Sequence, residues 1–223
     1  MAMSGKLKLG LIAFVVVDLL LVVTFVALYL VNSDRAAATD LLDMGLSIYP
    51  KASDLKPFTL SDEHGNPFSA DDLTGYWNFF FFGFTACPDI CPITMAELDQ
   101  FYTGLDAAAR ERARVIMVSV DPARDDVATL AGYVDSYNED FVGLTGNIGV
   151  IAELAAQFFV VHSKPGLVAH NDHSVGAKPL DYMIEHSGHL AIVNPEGKFA
   201  AVMRSPVRDQ DLTTAYRHLL ADY

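Results

Sequence analysis

YWNFFFFGFTACPDICPITMAEL, residues 76–98, decides the fold. Its first nine residues, Tyr76 to Phe84, form an unbroken apolar and aromatic run of strand length, which predicts a central strand buried on both faces. Pro92 then suits the first turn of a helix, and Met95, Leu98, Phe101, Tyr102 and Leu105 recur at helical spacing. RVIMVSV, residues 114–120, reads as the next buried strand. A strand, a helix and a second strand in that order predict a βαβ unit with parallel strands.

Working outward, PFTL and PFSA flank the turn-rich DEHGN, residues 62–66, and predict a hairpin at the start of a domain beginning near residue 55. Beyond the βαβ unit come a helical pattern from Asp126 to Tyr137, a short strand over Phe141 to Leu144 and an apolar helix from Val150 to Phe159. HLAIVN and GKFAAVM flank Pro195-Glu196-Gly197 as a terminal hairpin, and Asp209 to Leu220 predicts a closing helix. This order, hairpin, βαβ, helix, two strands and helix, predicts an α/β domain of the thioredoxin-like kind over residues 55–223. Residues 34–54 mix small, acidic and apolar side chains without a period and read as a tether.

Leu9 to Val31 holds 23 residues with a single charge, Asp18. As a helix it would reach roughly 34 Å, enough to cross a bilayer. A cleavable signal peptide would carry an apolar stretch of only about 7–15 residues, so the length favours an uncleaved anchor within residues 1–33. Lys6 and Lys8 precede the span while Asp34, Arg35, Asp40 and Asp43 follow it, which predicts a cytoplasmic N-terminus and an exported domain. No Arg-rich and Ser-rich stretch precedes the span, which favours the inner membrane of a bacterium, with the domain in the periplasm. Asp18 at mid-span is costly unless neutral, paired or snorkelling. The chain carries a formal charge of −13, and an acidic exported domain argues against nucleic acid as a partner.

The two cysteines of the chain, Cys87 and Cys91, fall at the strand-to-helix loop. Cys91 is expected at or near the helix N-cap, where unpaired N–H groups and the helix dipole favour thiolates that are good nucleophiles and good metal ligands. A structural disulfide would gain little there, because chain-entropy stabilisation grows with the loop that is closed. Redox chemistry and metal binding both remain open: C-x-x-x-C has one residue more than the common dithiol motif, and two thiolates are an incomplete set for most metals.

Three ordered blocks carry a resemblance. FGFTACPDICP (82–92), VSVDPARD (118–125) and DYMIEHSGHLAIVNPEGKF (181–199) resemble the signature of the Sco/SenC family of membrane-anchored, thioredoxin-like copper proteins. The resemblance implies that Cys87, Cys91 and His186 ligate one copper, as Cu(I) or Cu(II), and that Asp121 orients the site or docks a partner. Asp121 and Arg124 stand at a strand's C-terminal end, where open α/β sheets build sites, although helix capping and local ion pairing explain them equally well. Glu185 stands where the family has Asp, and Asp126 where Thr is common. The stretch 162–179 looks longer than its family counterpart and brings His162, His170 and His173. It reads as a solvated lid before an auxiliary metal site, since no regular ligand spacing emerges.

Implied by the resemblance is a metallochaperone that delivers copper to the CuA site of a haem–copper oxidase, with the oxidase's acceptor subunit as partner and an upstream copper donor or thiol reductase supplying it. The alternatives are a thiol-disulfide oxidoreductase acting through Cys87 and Cys91 on the acceptor's cysteines, and a redox or copper sensor, for which the sequence offers no output domain.

Overall fold

A computed structural model describes residues 14, 16–26, 41–160, 162–163, 185–186 and 188–221. The chain divides into two units, Met1–Met44 and Gly45–Tyr223. In the first, residues 16–26 are helical and exposed, with Phe25 71% accessible, and the Thr24 hydroxyl donates back to the Leu20 carbonyl. Among the described residues no helix is long and apolar enough to cross a membrane, and the span expected over Leu9 to Val31 extends outside them at both ends.

The second unit runs β1 (Leu46–Asp54), β2 (Thr59–Ser61), β3 (Pro67–Ser69), β4 (Trp77–Gly83), α1 (Ile90–Gly104), α2 (Ala107–Arg110), β5 (Ala113–Ser119), α3 (Val127–Asp135), β6 (Val142–Leu144), α4 (Ile148–Gln157), β7 (His162–Ser163), β8 (Glu185–His186), β9 (Leu190–Val193), β10 (Lys198–Met203) and α5 (Asp209–Ala221). Six strands form one sheet in the order β1-β10-β9-β4-β5-β6. β4, β5 and β6 are parallel, while β9 runs antiparallel to β4, β10 to β9 and β1 to β10. This is the expected thioredoxin-like α/β arrangement, with β2 and β3 paired as the expected hairpin.

Every residue of β4 is buried because helices cover both faces of the sheet. Alternation sorts its aromatics. Phe79 meets Phe101 of α1 and Tyr216 of α5 edge-on, with ring centroids 5.1 and 5.4 Å apart. Phe80 and Phe82 instead meet Phe158, at the end of α4, at 5.0 and 5.9 Å. The even-numbered residues thus face α4 and the odd-numbered ones face α1 and α5. By the same alternation Gly83 points toward α1, which becomes important at the cysteines.

One expectation is corrected. The tether read over residues 34–54 ends earlier, because Leu46–Asp54 is an edge strand that pairs with β10 from Leu46↔Met203 to Asp54↔Lys198. Only Leu46 of this strand is buried, and its register shifts between Ile48 and Ser53, so no alternation marks it in the sequence.

Candidate metal centre

Gly83 ends β4 and the chain turns through Phe84–Asp89 into α1. The Cys87 amide donates to the Phe84 carbonyl at 3.2 Å, closing the turn, and Asp89 takes the N-cap position of α1. Cys91 is therefore the second residue of the helix rather than its cap. The two cysteines are not joined in a disulfide; Cys87 is half-buried and Cys91 fully buried.

Gly83 makes room for the inner sulfur. A Cβ at residue 83 would stand 3.1 Å from Cys91 Sγ, 2.8 Å from Phe81 Cε1 and 3.3 Å from Met117 Cε. Gly83→Ala is accordingly expected to cost about 1–3 kcal/mol of stability by overpacking. Urea unfolding measures that loss, and slower modification of the thiols at matched pH would report the displaced sulfur.

The electrostatics depart from the expectation at Cys91. Burial pushes its thiol far above the ordinary range, with the Cys87 thiol beside it adding to the effect; the Phe84 amide pulls the other way, and the Asp125 charge raises it again. Desolvation outweighs the helix N-terminus, because the sulfur lies inside the protein instead of at the solvated end of the dipole. Without a metal, Cys91 is a thiol.

Asp125 is the residue that sequence reasoning missed. It is fully buried, and its carboxylate accepts from the Thr85 amide at 3.0 Å, the Thr85 hydroxyl at 2.6 Å and the Ser119 hydroxyl at 2.6 Å. Thr85 is two residues before Cys87, so this carboxylate fixes the cysteine loop to the end of β5. Asp121, the acid singled out from the sequence, pairs with Arg124, whose guanidinium lies 5.4 Å from the centre of the Phe84 ring. Asp126 caps α3 by accepting from the Thr129 amide, and the Thr129 hydroxyl, then this amide, hold its carboxyl below the usual range. Tyr133 of α3 sends a buried hydroxyl into the same region; burial, then Tyr137 and the two cysteines push its ionisation up.

His186 lies in β8, directly opposite His162 of β7 in an antiparallel pair. Two residues further on, Gly188 packs against the cysteine loop: a Cβ there would stand 3.3 Å from Ile90 Cγ1 and 3.3 Å from Ser205 Oγ. The backbone just past His186 therefore runs beside the start of α1. His189 has a separate structural task, with its ring Nε2 3.0 Å from the Phe158 carbonyl. Among the described residues no group of three or more His, Cys, Asp and Glu side chains forms a metal site, and His170 and His173 lie outside them.

A thioredoxin-like sheet with two closely spaced cysteines at the β4–α1 loop, and a histidine-bearing strand leading to that loop, defines a thiol-based metal or redox protein. More narrowly, residues 49–221 match the SCO1/SenC family model, and the chain belongs to that family. It is 34% identical over 175 residues to a Stutzerimonas stutzeri protein named for copper binding, covering 78% of this chain and 80% of that one. It is 35% identical over 161 residues to the sco1 protein of Schizosaccharomyces pombe, covering 71% of this chain and 57% of that one. Copper-bound Arabidopsis thaliana ScoI superposes with a TM-score of 0.64 at 27% identity, covering 75% and 98% of the two chains. Copper-bound yeast Sco1 does so with a TM-score of 0.66 at 27% identity, covering 77% and 90%.

Proposed function

We propose that this protein is a copper-binding assembly factor that holds one copper through Cys87, Cys91 and His186 and passes it to the CuA site of a haem–copper oxidase. The observation that carries this reading is the packing of Gly188 on Ile90, which brings the backbone after His186 to the loop that bears both sulfurs. Copper-bound relatives of the same fold support it. Two thiolates and an imidazole form a soft, low-coordinate set suited to copper. Cys87, the more exposed sulfur, is the one an acceptor's thiolate meets first, so ligand exchange begins there and ends at Cys91.

The proposal includes the membrane. An apolar helix exposed all round, as residues 16–26 are, is the pattern of a bilayer span. Anchored with its N-terminus in the cytoplasm of a bacterium, the domain would share the periplasmic membrane surface with its acceptor subunit, which raises effective concentration without requiring a tight complex.

The pairing of a half-buried with a buried thiol also suits dithiol exchange. Cys87 would attack an acceptor disulfide and expel one acceptor thiolate, and Cys91 would then attack Cys87 Sγ of the mixed disulfide and expel the other; the acceptor gains two electrons and this chain ends as the Cys87–Cys91 disulfide. His186→Ala separates the two readings. It is expected to weaken copper binding by at least about a hundredfold and to leave dithiol exchange nearly unchanged. Titration of the reduced protein with Cu(I) and Cu(II), alongside reduction of a model disulfide, measures both; copper affinity unaltered by the substitution would remove His186 from the site.

A further inference from the structure

The inner sulfur has an apolar wall behind it. Phe81 of β4 and Met117 of β5 are register partners in the parallel pair, so both side chains stand on the face of the sheet that α1 covers. Three groups close on the space that Gly83 leaves open there: Phe81 Cε1, Cys91 Sγ and Met117 Cε lie 2.8, 3.1 and 3.3 Å from where a Cβ would be. The Met117 methyl and the Cys91 sulfur therefore border one small gap. All three side chains are fully buried, so water does not reach the sulfur from this side. Burial, the neighbouring Cys87 thiol and the Asp125 charge all weigh against negative charge on Cys91, and the Phe84 backbone relieves this only in part.

We infer that Met117 biases the copper site toward Cu(II) by keeping the inner sulfur dry. The inference rests on the copper reading proposed above and deepens it. Two thiolates and a neutral imidazole leave a Cu(II) site uncharged, whereas a Cu(I) site carries one negative charge. Low-dielectric surroundings penalise the charged form. The apolar contacts and hydrogen bonds around a ligating sulfur set copper's preference between oxidation states. Met117 is also the wall residue at which that preference can be tested, because glutamine follows nearly the same course and ends in a hydrogen-bond donor.

The test uses the full chain in detergent, its methionine methyl groups labelled with 13C. The Met117 signal is the one missing from Met117→Leu, and aqueous Cu(II) is expected to broaden it in the parent protein. Chelator competition gives the Cu(I) and Cu(II) affinities separately. Met117→Gln is expected to raise Cu(I) affinity relative to Cu(II) by about tenfold, which is about 59 mV for a one-electron couple. Met117→Ser, a smaller donor, should shift the ratio in the same direction, and Met117→Leu, equally apolar, should keep the parent ratio. Melting curves of the metal-free proteins identify the variants that fold. An unchanged ratio in a folded polar variant would overturn the inference. An equal shift in Met117→Leu would overturn it as well, by assigning the effect to the thioether itself. A Met117 signal indifferent to bound Cu(II) would place the metal away from the wall and sink the inference while the copper function stands. A parent protein that binds no copper would overturn both the inference and the function on which it rests.

Discussion

Replacing both cysteines with serine, Cys87→Ser together with Cys91→Ser, is expected to abolish copper binding and dithiol exchange at once. A serine hydroxyl is neutral and hard at physiological pH, so the site would keep imidazole alone and lose the soft donors that distinguish copper from the commoner hard cations. The single variants should differ from one another. Cys91 is buried and Cys87 half-buried, so Cys87→Ser leaves an inner sulfur that incoming metal or disulfide reaches poorly, whereas Cys91→Ser leaves an accessible thiol that traps mixed disulfides without resolving them.

The protonation of Cys91 adds a pH dependence with a definite sign. Burial first, then the neighbouring Cys87 thiol, raise it well above the ordinary value of 9.0, so the metal-free protein keeps this proton throughout the neutral range. In the proposed site copper takes Cys91 as thiolate, so binding would expel that proton, and apparent affinity should rise about tenfold per pH unit through Cys91 alone. Calorimetric titration in two buffers of different ionisation enthalpy counts the proton released. An affinity flat between neutral and mildly alkaline pH would mean that Cys91 is already ionised or takes no part. Linkage also governs the metal-free fold. A pKa raised by folding stabilises the dithiol protein fully below the unfolded thiol's pKa, and that contribution is lost as pH rises from there toward the folded value.

Much of the fold was legible because burial on both faces leaves a coarse signal. Trp77–Gly83 could be read as a central strand since no polar face interrupts it, and Pro92 with the apolar spacing behind it marked α1. β1 was not legible. Its exposed face, Pro50 and Lys51, and the irregular register opposite β10 are those of a protected sheet edge, which erase the alternation that identifies a strand. The site divides in the same way. Two cysteines behind a buried strand announce chemistry by their rarity, whereas His186 could be selected only through the resemblance of its block. Asp125 was hidden for a different reason. DPARDD contains three aspartates within six residues, and the sequence does not say which one turns inward. Only the folded chain assigns Asp121 to Arg124, Asp126 to the cap of α3 and Asp125 to the cysteine loop.

Asp125→Ala is therefore expected to be the single change near the site that costs the fold most stability. It removes the common acceptor of the Thr85 amide, the Thr85 hydroxyl and the Ser119 hydroxyl in a fully buried position. Each abandoned buried donor costs about 1–3 kcal/mol, though the hydroxyls can partly reorient, and a total of about 3–4 kcal/mol is expected. Urea unfolding would show this as a lower midpoint at unchanged slope. Asp125→Asn keeps the shape and one acceptor oxygen, so its cost should be nearer 1–2 kcal/mol. Because the Asp125 charge helps to hold the Cys91 proton, the asparagine variant should also shift the pH profile of Cys91 alkylation downward. Looser packing alone would speed alkylation equally at every pH, whereas removal of the charge moves the midpoint. An unmoved midpoint with an intact fold would confine Asp125 to anchoring Thr85; a lowered one would show that this carboxylate both positions the loop and sets how tightly its inner thiol keeps the proton that copper must displace.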